Sequence, residues 1–170
     1  MKFSAATLSD VNIIATLHVE SWQQAYRGLL PDNYLDNLDI RERETLWHEV
    51  IFADKTKVIK ASMAGTVTGF ICYGDSRDET AEAETAEIMA FYVAPEYWRR
   101  GIGTDLWRTC RDDLCALGYQ TVTLWVMAGN QRAIGFYQSQ GFQPEPGVVE
   151  TVRIAAITVS EQRYRCILAE

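Results

Sequence analysis

The chain contains, at residues 86–104, the stretch AEIMAFYVAPEYWRRGIGT. Its first part, Ala86 to Val93, is rich in apolar and β-favouring residues and predicts a strand. The run from Gly101 to Leu117 places apolar side chains along one stripe and predicts an amphipathic helix. The turn that joins this strand to this helix is the most informative feature of the sequence.

The turn before the helix has the features of an anion site. Gly101 and Gly103 allow the backbone to approach a ligand closely, and the unpaired N–H groups of a helix start point outwards. Together with the helix dipole, these N–H groups favour phosphate. Arg99 and Arg100 add positive charge, and arginine binds phosphate through paired hydrogen bonds. From the residues alone, a tight strand-to-helix turn with solvated arginines is the alternative.

Spacing excludes other common phosphate-binding and catalytic loops. A dinucleotide-binding GxGxxG motif needs glycine at position 106, where the chain has Leu106. The sequence contains neither a P-loop nor a GxSxG nucleophile turn. We therefore expect a ligand that carries a pyrophosphate and is bound by another scheme.

The rest of the chain alternates between strand and helix patterns without a repeat or a linker. Further strands are predicted at residues 2–6, 57–62, 66–74 and 121–127, with two more between 148 and 168. Further helices are predicted at residues 9–28, 31–38, 39–52 and 130–141. The order β α α α β β β α β α β β predicts an α/β sheet with at least one parallel pair. Because no boundary is visible, residues 1–170 are expected to form a single domain.

Composition and charge narrow the class of protein. Of the 170 residues, 48% are hydrophobic and 23% are charged, and the net charge at pH 7 is −7. An acidic surface argues against nucleic acid, which needs a basic stripe, and fits a cationic substrate weakly. No secretory signal and no apolar run of membrane-spanning length is visible, so we expect a cytoplasmic protein without membrane contact.

Cysteine and histidine are few and widely spaced. The cysteines form no CxxC pair and the histidines form no HExxH motif, so no metal site is expected. The thiols are expected to be buried and reduced, since free cysteine behaves mostly as a small hydrophobic residue. The residues concerned are Cys72, Cys110, Cys115, Cys166, His18 and His48.

Two motifs together indicate a family. The stretch at 86–104 is followed by NQRAIGFYQSQGF at residues 130–142. In content and spacing, the pair resembles the signature of the GNAT acetyltransferase superfamily. The resemblance implies an α/β GNAT fold, which is a single mixed, mostly antiparallel sheet flanked by helices, with one central parallel strand pair splayed for the cofactor. It also implies acetyl-CoA as co-substrate and an amine as acceptor.

The resemblance also assigns cofactor-binding residues. Phe91, Tyr92 and Val93 match strand residues whose backbone pairs with the pantetheine arm. The amides of the turn match those that hold the pyrophosphate, and the residues are Arg99, Arg100, Gly101, Ile102, Gly103 and Thr104. Asn130 matches a residue that contacts the cofactor, and a plain helix N-cap is an equal alternative.

One position departs from the family pattern. Three residues before Gly101 the family usually has Gln or Arg, and this chain has Trp98. The side chain that meets phosphate is therefore left open, with Arg99 or Arg100 as replacements. Backbone amides do not depend on the residue type and are expected to serve in any case.

Tyr137 and Glu87 are the predicted catalytic residues. Tyr137 matches the family's general acid, and a phenol can protonate the thiolate that leaves. A packed core tyrosine is the alternative, and the residue also belongs to the cofactor-binding set. An amine with a pKa of about 10.4 is mostly protonated at pH 7, so some group must accept its proton. Glu87 matches the base of histone-modifying members, and the alternatives are a water chain or a solvent-facing glutamate.

The acceptor pocket is predicted on the first helix. His18, Trp22 and Tyr26 recur every four residues and share one face, where aromatic rings can attract an ammonium group. An ordinary core stripe is the alternative. The sequence therefore predicts acetyl transfer from acetyl-CoA to a primary amine, such as a polyamine or amino compound, by direct attack in a ternary complex. Protein or peptide acetylation and a catalytically idle acyl-CoA-binding regulatory module are the alternatives, and a homodimer is a further expectation.

Overall fold

The computed structural model describes residues 1–168, and its elements follow the predicted order. The strands are β1 (Lys2–Ala5), β2 (Lys57–Met63), β3 (Thr66–Asp75), β4 (Thr85–Val93), β5 (Thr121–Met127), β6 (Gln143–Ile154) and β7 (Ile157–Ile167). The helices are α1 (Val11–Ala25), α2 (Asp32–Asp36), α3 (Ile40–Ala53), α4 (Ile102–Ala116) and α5 (Gln131–Ser139). The clearest difference is β6, which begins before the predicted C-terminal strand region.

The seven strands form one sheet in the order β1-β2-β3-β4-β5-β7-β6. Neighbouring strands are antiparallel except β4 and β5, which are parallel and meet at the centre. The connection between these two strands runs through α4, since parallel strands need a long crossover. The predicted mixed, mostly antiparallel sheet with one central parallel pair is confirmed.

The parallel pair holds together over only part of its length. The pairing runs from Thr85 opposite Thr121 to Ile88 opposite Leu124, and none is found beyond it in the described residues. On its other side, β4 has a bulge at Met89, which has no partner on β3. A bulge bends the strand that carries it. The two strands therefore separate at the centre of the sheet, as the family resemblance implied.

Helices cover both faces of the sheet. On one face, α4 buries Ile102, Leu106, Cys110 and Leu114 against the central strands. Their spacing of four residues places them on one stripe of the helix, and each fully buried leucine contributes about 1.5–3 kcal/mol. On the opposite face, α1 and α3 pack around Trp47. The gap between β4 and β5 therefore opens between two helical layers.

The four cysteines are free, as predicted. Three are buried, and Cys115 is exposed, so the expectation of burial is wrong for that residue. It follows the buried Leu114 directly on α4 and therefore points away from the sheet. Within residues 1–168, none of the helices combines the length and the apolar character that crossing a membrane requires.

Candidate active site

A cavity of about 340 Å³ lies where β4 and β5 separate. Because the gap connects the two faces of the sheet, the cavity wall has two sides. We call one the α4 side, and it includes Arg99, Gly101, Gly103, Ala133, Phe136 and Tyr137. We call the other the α1 side, and it includes Ser21, Tyr26, Met89, Tyr92, Met127 and Glu161.

The start of α4 faces the cavity. Gly101 precedes the helix with a φ of 81°, a conformation that glycine adopts without strain. A Cβ atom at Gly103 would lie 3.3 Å from the Phe136 ring, so a larger residue there would displace the ring or fill the space. Ile102 and Thr104 also line the wall. The first N–H groups of the helix lack intrahelical partners, and together with the dipole they suit an anion.

Backbone groups of β4 point into the gap. The Ala94 N–H donates to the Thr68 carbonyl at 2.9 Å, which fixes the alternation of hydrogen bonds between β4 and β3. In an antiparallel pair only every second residue bonds to a given neighbour. The peptide groups of Tyr92 therefore point towards β3, and those of Phe91 and Val93 point into the gap. Of the three predicted strand residues, two present backbone groups there, and Tyr92 contributes its side chain to the wall.

Trp98 fixes the end of β4. Its indole Nε1 donates to the Val93 carbonyl at 2.7 Å, and the ring lies beneath the guanidinium of Arg132, whose central carbon is 3.3 Å from the ring centre. A cation over an indole face is attracted by the ring quadrupole. Arg132 also lines the cavity. Trp98 carries no charge itself, but it holds a positive charge at the wall.

The two arginines of the turn occupy different positions relative to the cavity. Arg99 lines the cavity. Arg100 does not line it, and its guanidinium instead lies 5.4 Å from the centre of the Tyr97 ring. Of the two predicted replacements for the usual Gln or Arg, Arg99 alone is at the wall.

Tyr137 lies at the wall between α5 and the splayed strand. Its ring contacts Phe91 and Phe142, with ring centres 6.3 and 5.6 Å away. Burial raises the pKa of Tyr137 above its usual value, so the phenol keeps its proton at neutral pH. Asn130 is buried at the start of α5, where its Oδ1 accepts a hydrogen bond from the Ala133 N–H at 3.3 Å, and it also lines the cavity. Asn130 therefore combines an N-cap role with a place at the cavity wall.

Glu87 is buried but does not line the cavity. Its carboxylate accepts hydrogen bonds from the Arg77 backbone N–H at 2.9 Å and from Nε at 3.1 Å, and it forms an ion pair with Nη2. Two guanidinium nitrogens of Arg77 thus contact Oε1, and the backbone N–H contacts Oε2. To act as a base, Glu87 would have to exchange Arg77 for the substrate.

The three aromatic residues predicted on the first helix, of which Tyr26 directly follows the end of α1, divide into one wall residue and two supporting residues. Tyr26 lines the cavity. His18 Nδ1 accepts a hydrogen bond from Trp47 Nε1 at 3.0 Å, and its ring stacks on Tyr92 with centres 4.7 Å apart. Burial lowers the pKa of His18 to about 3, so the ring is neutral at pH 7. Trp22 Nε1 donates to the Tyr92 hydroxyl at 2.9 Å. His18 and Trp22 thus support a wall residue from behind.

Sequence reasoning missed Glu161. It lies on β7 opposite Met127, at the end of β5 where the gap is open, and it lines the cavity. Burial, followed by the charge of Glu150 on β6, raises the pKa of Glu161. Strand periodicity gives the face on which this side chain lies, but only the pairing of β7 with β5 brings that face to the gap. No motif around Glu161 indicated this pairing.

In residues 1–168 there is no group of three or more His, Cys, Asp or Glu side chains arranged to hold a metal ion.

The fold and cavity define an α/β protein whose central parallel strands open around a ligand site. Residues 14–142 match the acetyltransferase (GNAT) family. This match spans more than half of the chain, and the chain therefore belongs to the GNAT family of N-acetyltransferases. The predicted family and enzyme class are confirmed.

Proteins with related sequences have names of the same class. An uncharacterized N-acetyltransferase of Bacillus subtilis (strain 168), YuaI, is 31% identical over 156 residues, which are 92% of this chain and 87% of that protein. A spermidine N(1)-acetyltransferase of Thermoplasma acidophilum is 26% identical over 145 residues, which are 82% of this chain and 86% of that protein.

A solved structure shares the fold over almost the full length. The PaiA N-acetyltransferase of Thermoplasma acidophilum, crystallised in complex with coenzyme A, superposes with a TM-score of 0.76. The two chains are 22% identical, and the match covers 98% of this chain and 99% of that chain. At this identity the likeness supports the fold alone.

Proposed function

We propose that this chain transfers the acetyl group of acetyl-CoA to a primary amine of a small molecule, by direct attack within a ternary complex. The observation that carries the proposal is one cavity that brings a helix start suited to phosphate together with a partly buried phenol. Tyr137 and Gly103 both line this cavity. A thioester carrier with an anionic diphosphate needs both features in one site.

The residues present fit acetyl-CoA. The amides at the start of α4, with Arg99 and Arg132 at the wall, would hold the pyrophosphate. The peptide groups of Phe91 and the N–H of Val93 would pair with the amides of the pantetheine arm, as an added strand pairs with a sheet edge. When bound, acetyl-CoA supplies the activated acetyl group. The complex of the Thermoplasma acidophilum PaiA protein with coenzyme A supports this assignment.

Tyr137 is the proposed general acid. Burial raises its pKa, so the phenol is protonated at neutral pH and can give its proton to the departing thiolate. The proton that the nitrogen loses as the amide forms restores the phenol.

A small acceptor fits the site better than a protein surface does. A cavity of about 340 Å³ is near the lower limit of typical small-molecule pockets. The Thermoplasma acidophilum relative named for spermidine supports a polyamine or similar amine. Peptide acetylation remains the second enzymatic alternative. The predictions of a homodimer and of a cytoplasmic location belong to this proposal.

The test combines calorimetry with a thiol-release assay. We expect coenzyme A and acetyl-CoA to bind purified protein, and a panel of amines and peptides to contain acceptors that release coenzyme A. Binding without release across the whole panel would favour the idle acyl-CoA-binding module. Absence of binding by the folded protein would refute the proposal.

A further inference from the structure

Glu161 lies at the wall of the cavity, on the α1 side of the gap between β4 and β5. It lies opposite Met127, the last residue of β5, and faces the α1 side of the gap. Tyr26 and Tyr137 line the same cavity. Glu161 therefore shares the cavity with the proposed general acid, whereas Glu87 lies outside its wall.

The cations around Glu161 are engaged elsewhere. Arg77 forms an ion pair with Glu87, and Arg163 forms ion pairs with Asp78 and Glu145. Within residues 1–168, the carboxylate of Glu161 has no ion pair and no side-chain hydrogen bond. A half-buried carboxylate without a partner favours a cationic ligand.

The charges of the wall are also separated. Within the described part of the chain, Glu161 is the one acidic residue of the cavity wall, and Arg99 and Arg132 are its two basic residues. Arg99 precedes α4 and Arg132 is the second residue of α5, so both lie at helix starts that suit anions. The anionic co-substrate and a cationic acceptor would thus each find an opposite charge in one cavity.

On the basis of the proposed function, we propose that Glu161 binds the ammonium group of the acceptor and accepts its proton. One N–H bond of the ammonium breaks and an O–H bond forms on the Glu161 carboxyl group. The neutral nitrogen then attacks the thioester carbonyl, a C–N bond forms and the C–S bond breaks. Tyr137 protonates the sulfur and regains a proton from the nitrogen, and Glu161 later releases its proton to solvent.

The wall around Glu161 also defines the acceptor class. Tyr26, Tyr92, Trp125 and Met127 give this side an aromatic and apolar surface that suits an alkyl chain. A carboxylate on the acceptor would be repelled by Glu161 and by Glu150 opposite it. The expected acceptors are therefore alkyl monoamines, diamines or polyamines, and not amino acids.

The groups that face Glu161 predict its pH behaviour. Burial and Glu150 raise its pKa, and Arg77 lowers it less. Tyr26 at the end of α1 and Tyr92 on β4 are neutral near pH 7, since burial raises the pKa of both phenols. Arg163, two residues along β7, is neutralised by its two acidic partners. Activity should fall as the pH drops through the raised pKa of Glu161.

The decisive experiment measures kcat/KM from pH 4.5, the ordinary pKa of a glutamate carboxyl group, to pH 9 for three matched acceptors, 1-aminobutane, 1,4-diaminobutane and 4-aminobutanoate. Wild-type protein should prefer the first two. In Glu161→Gln, kcat/KM for 1-aminobutane near pH 7 should fall roughly 10- to 100-fold, the range expected for loss of a charged hydrogen bond. In the variant, kcat/KM should instead rise about tenfold for each unit of increase in pH, because only the free amine reacts. Its affinity for coenzyme A should match that of the wild type.

Glu150→Gln is the matched control. It removes one negative charge from the opposite residue on β6, which is exposed and outside the cavity wall. Its plateau kcat/KM should equal that of the wild type, and its acidic limb should move to lower pH because Glu161 loses a like-charged neighbour. Glu87→Gln tests the competing base.

The outcomes separate this inference from the proposed function. If Glu161→Gln keeps the wild-type profile, or if 4-aminobutanoate is the preferred acceptor, the role of Glu161 is refuted while acetyl transfer stands. The role of Glu161 is also refuted if, among the variants, Glu87→Gln alone loses the fall in kcat/KM at low pH. If the wild type does not bind coenzyme A, both proposals fail.

Discussion

The two sides of the cavity are assembled in different ways. The α4 side comes from two short segments of the chain, namely the turn with the start of α4 and the helix α5. The α1 side combines Tyr26, Tyr92, Trp125 and Glu161 from four separate elements. The first arrangement is fixed by local backbone geometry, and the second depends on the whole fold. Substitutions on the α4 side should therefore act on co-substrate binding, and those on the α1 side on acceptor choice.

The largest expected effect is on the α4 side. Gly103→Glu should abolish measurable binding of coenzyme A, because the side chain meets the Phe136 ring and brings negative charge to the helix start. Calorimetry checks this. Gly135→Glu is the control, since a Cβ there meets nothing within 4 Å and the residue is outside the cavity wall. Retained affinity in Gly103→Glu would contradict the placement of the pyrophosphate.

Tyr137→Phe separates chemistry from binding on the same side. Turnover should fall by about 10²- to 10⁴-fold, the usual contribution of a general acid, while the affinity for coenzyme A stays nearly constant. Thiol release under saturating substrates measures the loss. Tyr119→Phe provides the matched control, because its hydroxyl bonds to Asp75 and the residue does not line the cavity. Unchanged turnover in Tyr137→Phe would remove it as the acid.

The buried His18 ring, which supports the α1 side from behind, should make the free energy of unfolding depend on pH. Its folded pKa is about 3 and its usual value about 6.5, so between these values the unfolded chain binds more protons. The contribution of the neutral ring to the free energy of unfolding is complete above pH 6.5 and is lost as the pH falls towards 3. At pH 5 it amounts to a loss of about 2 kcal/mol in the free energy of unfolding.

The measurement is denaturant unfolding at pH 7 and pH 5. His18→Gln, which keeps an acceptor for the Trp47 indole but cannot titrate in this range, should show a pH dependence weaker by that amount. His48→Gln, at an exposed histidine of α3, should behave like the wild type. An unaltered pH dependence in His18→Gln would mean that the buried ring is not the group responsible.

The smallest expected effect compares the two arginines of the turn. Arg99→Gln should weaken coenzyme A binding by about 3- to 10-fold at low salt, because one partly exposed charge contributes modestly and is screened by ions. Arg100→Gln should bind like the wild type, since its guanidinium lies over Tyr97. Calorimetry at two ionic strengths measures both. An equal loss in the two variants would indicate a long-range charge effect without a specific contact.

Much of the α4 side could be predicted from sequence. The strand, the turn at Gly101 and the helix have local signals, namely β-rich residues, glycine at a positive φ and an apolar stripe. Five of the six predicted turn residues line the cavity, and Arg100 does not, because its guanidinium rests on Tyr97. The departure at Trp98 was visible in the sequence, but its contact with Arg132 depends on tertiary packing.

The α1 side was harder to predict. The spacing of His18, Trp22 and Tyr26 correctly gives one helical face, but it cannot distinguish a wall residue from those packed behind it. Glu87 matched a motif, and its pairing with Arg77 depends on how the loop before β4 folds back. Glu161 required knowledge that β7 inserts beside β5. A contact between strands distant in sequence leaves no pattern in either strand.

The short parallel ladder has a consequence for how the molecule responds to its co-substrate. In residues 1–168, the seam between the β1–β4 half of the sheet and the half that contains β5, β7 and β6 is short: residues 85–88 pair with residues 121–124, and the Glu84 carbonyl accepts hydrogen bonds from the N–H groups of residues 120 and 121. A pantetheine arm bound in the gap would extend this seam, so loading should raise the melting temperature. Amide hydrogen exchange would detect the same binding. The Tyr92 N–H should be protected with and without the co-substrate, and the N–H groups of Phe91 and Val93 should be protected only when it is bound.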